Sequence, residues 1–303
     1  MSISPRIHVL LPVHNRCATT EKFIRCLIAQ TYSNWHLILI DDGSSDGTED
    51  IVRALVSDLT VLHGAGNWWW AGSLQQGYDW LERSAPDPQD LVLIINDDTE
   101  FKSDFFANAV MAIKPRSLLL AQAYILATGE FNEIGVYWDW KKLSCTAVRK
   151  GEGFNCFSTR GLFLRVQDFL DIGGFYPKLL PHYLSDYEFT IRARRKGFSL
   201  ISAPEVFLQF DDALTGIRST EGHSFIRSVV MTLSNRSSSN PIHWTNFVLL
   251  SSPAKYVPIN VVRVWWRLTS PTRMKIKEYI FPIRYFIGRA KRKIKNGWSI
   301  GSN

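Results

Sequence analysis

Apolar and polar positions fall into short blocks along the first hundred residues. Arg6 to Pro12 (RIHVLLP) is an apolar run closed by proline, which predicts a strand. Between Asn15 and Gln30 the apolar residues Phe23, Ile24, Leu27 and Ile28 form a helical stripe that Thr19 or Thr20 can cap. Trp35 to Ile40 (WHLILI) is a second buried strand, ending in Asp41 and Asp42. After the turn Gly43–Gly47, Thr48 can cap a helix whose buried face is Ile51, Val52, Leu55 and Val56. Leu59 to Leu62 is a third strand, and Gly64 to Gly72 is a glycine-rich loop holding Trp68, Trp69 and Trp70. A helix then runs to about Arg83, and Pro86-Asp-Pro88 breaks it. Leu91 to Ile95 follows, five apolar residues leading into Asn96, Asp97 and Asp98. The order β-α-β-α-β-α-β predicts a doubly wound parallel sheet.

The second half alternates less cleanly. Ser117–Ile125, Gly129–Trp138, Gly161–Val166, Phe198–Ile201 and Val206–Phe210 read as strands. Leu184–Gly197 reads as a helix with Arg192, Arg194, Arg195 and Lys196 near its C-terminus, where cations suit the dipole. Ser237-Ser-Ser-Asn-Pro241 marks a boundary. No internal repeat is present.

Charge changes this picture at the C-terminal end. Between Pro253 and Trp298 there are twelve Lys and Arg against Glu278 alone, a net +11 that leaves −4 for the remainder of a chain whose total is +7. Val261, Val262, Trp265 and Trp266 stand among Arg263 and Arg267, and Ile280 to Ile287 alternate with Arg284 and Arg289. Basic residues with aromatic anchors fit a helix lying on an anionic membrane surface; the blander alternative is a helix packed on the domain with a solvated basic end. Eleven tryptophans point to stacking surfaces or a membrane-facing belt. No stretch reaches the roughly 18 apolar residues a spanning helix needs. Cys17, Cys26, Cys145 and Cys156 form no CxxC pair and have no histidine at zinc-ligand spacing, and Met1–Arg6 shows no signal-peptide pattern. Reduced thiols in a cytosolic protein are expected.

The candidate chemistry sits where strands end. Ligands of open α/β sheets bind beyond the carboxyl ends of the strands. Two such ends carry paired aspartates, Asp41-Asp42 and Asp97-Asp98, and random acidic turns would not select that position twice. Adjacent carboxylates repel unless a cation intervenes, and a divalent ion carrying a diphosphate supplies one. Asp42, Ser44, Asp46 and Gly47 fit the start of a calcium loop, but its twelfth position is Arg53, so calcium is excluded. A carboxylate here can instead accept the imide N–H of a uracil or thymine ring, while Asp46 or Thr48 caps the helix. Gly64-Ala-Gly-Asn67 lacks dinucleotide or Walker spacing, although its glycines permit backbone approach to a phosphate or sugar. The tryptophans after it suit the core, or a sugar ring. Asp186, in a first helical turn, is either a dipole partner or a general base.

Pro12-Val-His-Asn15, Asp41-Asp-Gly-Ser-Ser-Asp-Gly47, Asn96-Asp-Asp98 and Gly173-Gly-Phe175…Ser185-Asp186-Tyr-Glu-Phe-Thr-Ile-Arg192 together resemble the inverting family 2 glycosyltransferases of the GT-A fold. The likeness covers roughly 7–210 and is strongest to the bacterial branch that builds O-antigen and related polysaccharides, including rhamnosyltransferases. It implies an α/β fold with a mostly parallel, Rossmann-like sheet flanked by helices, followed by a basic amphipathic helical tail. It implies a glycosyltransferase domain at 1–236, with a nucleotide-binding half at 1–100 and an acceptor half at 101–236, and a tail at 237–303. Asp41 matches the base-contacting carboxylate, and Pro12 and His14 the first-strand end lining the nucleotide pocket. Asp98 matches the metal ligand (Mn²⁺ or Mg²⁺) and Asp97 the contact to donor ribose or sugar. Asp186 matches the general base, and Asn67 and Trp69 fall in the donor loop.

Three departures stand out. Asn96 replaces an acid and Ser185 replaces the usual glutamate. Leu208-Gln-Phe-Asp211 lacks the histidine relatives often carry, so Asp211 or Asp212 is left to complete a metal shell.

The implied partners are a UDP- or dTDP-linked sugar, a glycan or lipid-linked acceptor, and the cytoplasmic face of a membrane. Inverting transfer is one in-line displacement, which needs a base for the acceptor hydroxyl and charge stabilisation for the leaving diphosphate, but no carboxylate nucleophile. A nucleic-acid binder would suit the sequence pI near 9.2 but not the acidic body. A non-catalytic glycan-binding relative would have no use for Asp98 and Asp186. A sugar nucleotidyltransferase needs a triphosphate loop that Pro12-Val-His-Asn-Arg16 does not supply.

Overall fold

The computed structural model describes residues 4–148, 152–211, 232–235 and 237–267. Four strands, β1 (Ile7–Val13), β2 (Trp35–Asp41), β3 (Leu59–His63) and β4 (Leu91–Ile94), lie parallel in the order β3-β2-β1-β4. The sheet continues through β10 (Leu162–Arg165), β6 (Ser117–Ile125), β11 (Ser199–Phe210) and β5 (Thr99–Glu100), with β7 (Phe131–Glu133) paired to β6. Only β10, β5 and β7 run antiparallel to their neighbours. The expected mostly parallel α/β sheet is the observed one.

Alternation across β1 explains its almost wholly apolar sequence, in which the one polar residue, His8, is buried with Nε2 3.2 Å from Asp90 Oδ2. Ile7, Val9 and Leu11 pack on one face with Phe23 and Leu27 of α1 (Cys17–Ile28), Val52 of α2 (Thr48–Leu55) and Phe105 of α4 (Phe105–Ala112). Leu10 packs on the other face with Leu74 and Leu81 of α3 (Trp69–Ser84), Phe169 of α5 (Val166–Ile172) and Phe189 of α6 (Ser185–Arg195). A strand covered on both sides has no polar face to show.

Several elements differ from the sequence reading. The expected strand Gly129–Trp138 divides at Ile134-Gly135 into β7 and β8 (Val136–Asp139), and β8 pairs with β9 (Ser144–Ala147) in a separate ribbon. Gly135 has φ +153°, and a Cβ there would lie 2.9 Å from Phe157, so only glycine lets the chain change sheets at this point. The two expected strands Phe198–Ile201 and Val206–Phe210 are one, β11, with a register shift between Ser202 and Phe207, around Pro204, which has no N–H to donate. The helix α3 begins at Trp69, so two of the three loop tryptophans are helical. The helix α4, FFANAVMA, is apolar except for Asn108, and periodicity alone cannot separate so short an apolar run from a strand.

Beyond Ser237, α7 (Pro241–Ser251) starts at Asn240, whose side chain accepts the N–H of Ile242 (2.9 Å). Its Phe247 is fully buried, with its ring centroid 4.8 Å from that of Trp138 in β8. The helix α8 (Val257–Trp266) lies against the β8–β9 ribbon, where Asn260 donates to the Trp140 carbonyl (2.9 Å) and Arg263 to that of Lys141 (2.6 Å). Its outer face exposes Ile259, Val262 and Trp266. The basic stretch with Ile280–Ile287 lies outside the described residues. No helix among the described residues is long and apolar enough to cross a membrane.

Phe247→Ala is expected to cost about 3–5 kcal/mol, the range for emptying a buried phenylalanine site. Amide exchange in α8 should rise with it. Unchanged α8 protection alongside a lowered midpoint would show that α8 is held without Phe247.

Candidate active site

Because β1, β2 and β4 are parallel, their C-terminal ends open onto one edge, with Val13 registered against Asp41 and Leu10 against Ile94. Pro12 lies in β1 beside Ile40. His14 follows, with Nδ1 2.7 Å from the Asp42 carbonyl. A carbonyl only accepts, so Nδ1 carries the proton and Nε2 is the acceptor, 3.2 Å from the Asn15 amide nitrogen. Asp41 is buried and its Oδ1 accepts the N–H of Ser44 (2.7 Å), which tightens the turn after β2.

Asp42 has a different position from its neighbour. Its Oδ1 accepts the N–H groups of Gly66 (2.8 Å) and Asn67 (3.1 Å), and its Oδ2 those of Trp68 (2.8 Å) and Trp69 (3.2 Å). The carboxylate thus satisfies two loop amides and the donors of Trp68 and Trp69 at the start of α3, where the helix dipole also favours a negative charge. Within Gly64–Asn67 the N–H groups of Gly66 and Asn67 turn inward to Asp42, and that of Gly64 to the Asp41 carbonyl. The side chains of Asn67 and Trp69 line a hollow of about 250 Å³ with Gln76 and Lys178, and the Trp69 ring lies 5.9 Å from that of His182.

Asp97 and Asp98 follow β4 and are both buried. Thr20, expected as a helix cap, lies inside α1, and its hydroxyl donates to Asp97 Oδ2 (3.0 Å). Arg16, the residue at the N-terminal cap of α1, brings Nε to 3.3 Å from Asp97 Oδ2 and Nη2 to 3.9 Å from Asp98 Oδ2. Burial nevertheless raises the Asp97 carboxyl to about 6, against the opposing pull of Arg16 and Thr20. Asp98 Oδ1 is buried with no hydrogen-bond partner. Asp211, after β11, donates its N–H to the Asp98 carbonyl (3.2 Å), while Asp212 lies outside the described residues.

A metal ion has a partial donor set here. Among the described residues no three His, Cys, Asp or Glu side chains converge as a cage. The orphaned Asp98 Oδ1 is the kind of oxygen Mg²⁺ or Mn²⁺ takes, and such ions are commonly held by one or two carboxylates with phosphates and water completing the shell. The residues therefore fit a cation that shares its ligands with a phosphate-bearing partner.

Asp186 opens α6 after Leu184, which has φ +70°. Ser185 directs its hydroxyl to the His182 carbonyl (2.9 Å), and the Tyr187 N–H donates to Asp186 Oδ1 (2.9 Å). Burial lifts the Asp186 carboxyl to about 6; the Tyr187 amide opposes this and the nearby Glu133 charge adds to it. Burial also raises Glu133, with Arg160 pulling it back. Arg160 covers the Phe210 ring, its Cζ 4.1 Å from the centroid, and Phe210 pairs with Thr99 next to Asp98. Arg160 thus lies between the surroundings of Asp186 and the strand pair that follows Asp98.

The remaining motif residues build this site without lining it. Arg192 makes a forked pair with Glu188 (2.9 and 3.1 Å) and donates to the carbonyls of Ile172, Gly173 and Gly174. That clamp joins the Gly173-Gly-Phe segment to the helix opened by Asp186. Arg16, Thr20, Glu133 and Arg160 escaped the sequence reading. Arg16 had a signal in directly following Pro12–Asn15; Glu133 had none, because its strand was misjoined to β8.

The mostly parallel sheet flanked by helices is the architecture of the GT-A fold. The chain belongs to glycosyl transferase family 2, whose family model matches residues 8–166. The structure is similar to that of the mannosyltransferase PcManGT from Pyrobaculum calidifontis in complex with GDP-Man and Mn²⁺, at 14% identity over 99% of this chain and 89% of that one, TM-score 0.51. It is also similar to GalNAc-T7 with UDP, GalNAc and Mn²⁺, at 13% identity over 89% and 58% of the two chains, TM-score 0.60. These identities establish likeness of fold. The glycosyltransferase AglE of Haloferax volcanii is 35% identical over 54 residues, which span 17% of this chain and 18% of that protein.

Asp42→Ala should lower stability by about 2–4 kcal/mol, since it strips charge-assisted partners from four amides. Rapid amide exchange confined to residues 66–69 would locate the loss, and an unchanged midpoint would refute it. Asp186→Asn should act the opposite way. The raised native pKa means that the folded state holds this proton more tightly than the unfolded one, so its stabilising effect is present at low pH and lost as pH rises through about 6. The neutral amide escapes that loss. Its unfolding midpoint should exceed wild type at pH 7.5 and converge with it near pH 4; a lower midpoint at pH 7.5 would make the carboxylate structural.

Proposed function

We propose that the protein transfers a sugar from a nucleoside-diphosphate donor to a hydroxyl group of a growing glycan, with inversion at the anomeric carbon. The observation that carries this reading is the half-buried Asp186 carboxylate at the start of α6, raised to about 6, together with the buried Asp97 and Asp98 that follow β4. A base is wanted there because the acceptor hydroxyl must lose its proton as it attacks. Above pH 6 Asp186 is ionised and can take that proton, and its partly buried setting makes the charged form a stronger acceptor than a solvated carboxylate.

The donor would lie along the C-terminal edge of β1, β2 and β4. Asp41, held in its turn by Ser44, would accept an imide N–H of the base, which favours UDP or dTDP. Pro12 and the tautomerically fixed His14 would wall the nucleotide pocket, and Asp97 would contact the ribose or sugar. Asn67 and Trp69 would border the donor from the α3 side. Asp98 would hold a divalent cation, Mn²⁺ or Mg²⁺, which when bound supplies charge stabilisation to the departing diphosphate. The Mn²⁺ and nucleotide or nucleotide-sugar ligands named for PcManGT and GalNAc-T7 support this class of donor.

The resemblance to rhamnosyltransferases makes a hexose or deoxyhexose the expected cargo. The exposed Ile259, Val262 and Trp266 beside Lys255 and Arg263 support a lipid-linked acceptor met at the cytoplasmic face of a membrane.

A panel of nucleotide sugars assayed with Mn²⁺ tests the reading, and no transfer from any of them would refute it. Asp186→Asn should lower transfer by about 10²–10⁴-fold, the usual worth of a general base, while leaving nucleotide binding intact. For the wild type, the rate should fall about tenfold per pH unit below pH 6 and level off above it. A flat profile down to pH 5 would exclude Asp186 as the base.

A further inference from the structure

One charged group at the edge is not used by the donor reading. The Arg16 guanidinium stands over the two carboxylates, 3.3 Å from Asp97 and 3.9 Å from Asp98. Its backbone is fixed separately, by an N–H bond to Thr48 Oγ1 (3.3 Å). The side chain is 32% exposed, whereas the carboxylates beneath it are 3% and 2% exposed. Arg16 is therefore a tethered cation at the mouth of a buried acidic pair, and one oxygen of that pair, Asp98 Oδ1, is left without a partner.

We infer that Arg16 is an internal counter-cation that makes this pair accept a divalent metal together with a diphosphate and resist the metal alone. The inference rests on the donor site proposed above. An ion arriving alone at Asp98 meets the guanidinium within a few ångströms, and charges this far from bulk water are poorly screened by salt. A diphosphate changes the balance, because it offers the planar guanidinium fork a new anionic partner. Once Arg16 turns to the phosphate, Asp98 is relieved of it and faces the metal, while Asp97 is freed for the donor's ribose or sugar. Metal and nucleotide then strengthen each other's binding by the same factor, as linkage requires. When the diphosphate leaves, Arg16 returns to the carboxylates and disfavours retention of the ion.

Binding measurements on the full chain test this without any turnover. Mn²⁺ is titrated by electron paramagnetic resonance, alone and with UDP, dTDP or GDP. Wild type should bind Mn²⁺ weakly alone and more tightly with its nucleotide. Arg16→Met should bind Mn²⁺ alone about tenfold more tightly, a modest share of the Coulomb repulsion removed, and should lose about tenfold of the nucleotide enhancement. Arg16→Lys, which keeps the charge but not the fork, should keep weak metal-alone binding and lose part of the enhancement.

Folded Arg16→Met that binds Mn²⁺ alone no more tightly than wild type would overturn the inference. If Arg16→Met does not fold, tight metal-alone binding by Arg16→Lys does the same. The two readings fail separately. Wild type that binds none of the three nucleotides with Mn²⁺ overturns the donor site, and this inference with it. Wild type that binds one, with Arg16→Met unchanged from it, overturns only the role of Arg16.

Discussion

The Asp42 carboxylate, surrounded by the N–H groups of Gly66, Asn67, Trp68 and Trp69, ties the end of β2 to the start of α3. Parallel pairing brings strand ends to one edge but does not say how the chain leaves that edge. Four charge-assisted bonds to one side chain decide it here. The Asp42 carbonyl in turn holds His14, so the exits of β1 and β2 and the entry of α3 form one hydrogen-bonded unit. With Asp42 spent on the backbone, Asp41 is left beside it to close its own turn through the Ser44 N–H.

The same accounting separates the other carboxylates. Asp97 is shared between Thr20 and Arg16. Asp98 keeps one buried oxygen without a partner. Asp186 has a single amide, and its carboxyl rises to about 6. Buried polar groups in folded proteins are nearly always satisfied, so a carboxylate oxygen left without a partner is a candidate position for a ligand or a proton.

The part of the chain that carries Asp186 depends on a different kind of support. Arg192 fastens the Gly173–Phe175 segment to α6, and an aromatic cluster of Trp138, Trp140, Trp244 and Phe247 backs the β8–β9 ribbon. The high tryptophan content thus goes largely into packing around the site, with Trp265 and Trp266 on the outer face of α8. Asp186 inherits its burial from this scaffold, since Tyr187 packs on Trp138.

By itself the sequence determined the parallel half of the sheet, because strands buried on both faces leave unbroken apolar runs between turn signals, as at Trp35–Ile40 and Leu91–Ile95. It also placed Asp41, Asp97, Asp98 and Asp186 at strand ends and a helix start, positions a local pattern can mark. It did not separate Asp41 from Asp42, identify Thr20 and Arg16 as partners of Asp97, or bring Glu133 near Asp186. It joined β7 to β8 and divided β11, since three or four residues of alternation do not reveal which sheet they enter. These matters were decided by tertiary structure. Each depends on which backbone amide or side chain, often dozens of residues away, reaches a given carboxylate, and that is set by how the loops fold back over the strand ends. A strand end shows in sequence as a change from apolar to polar. The partner that neutralises its charge does not, because hydrogen bonds are made in space and leave no period along the chain.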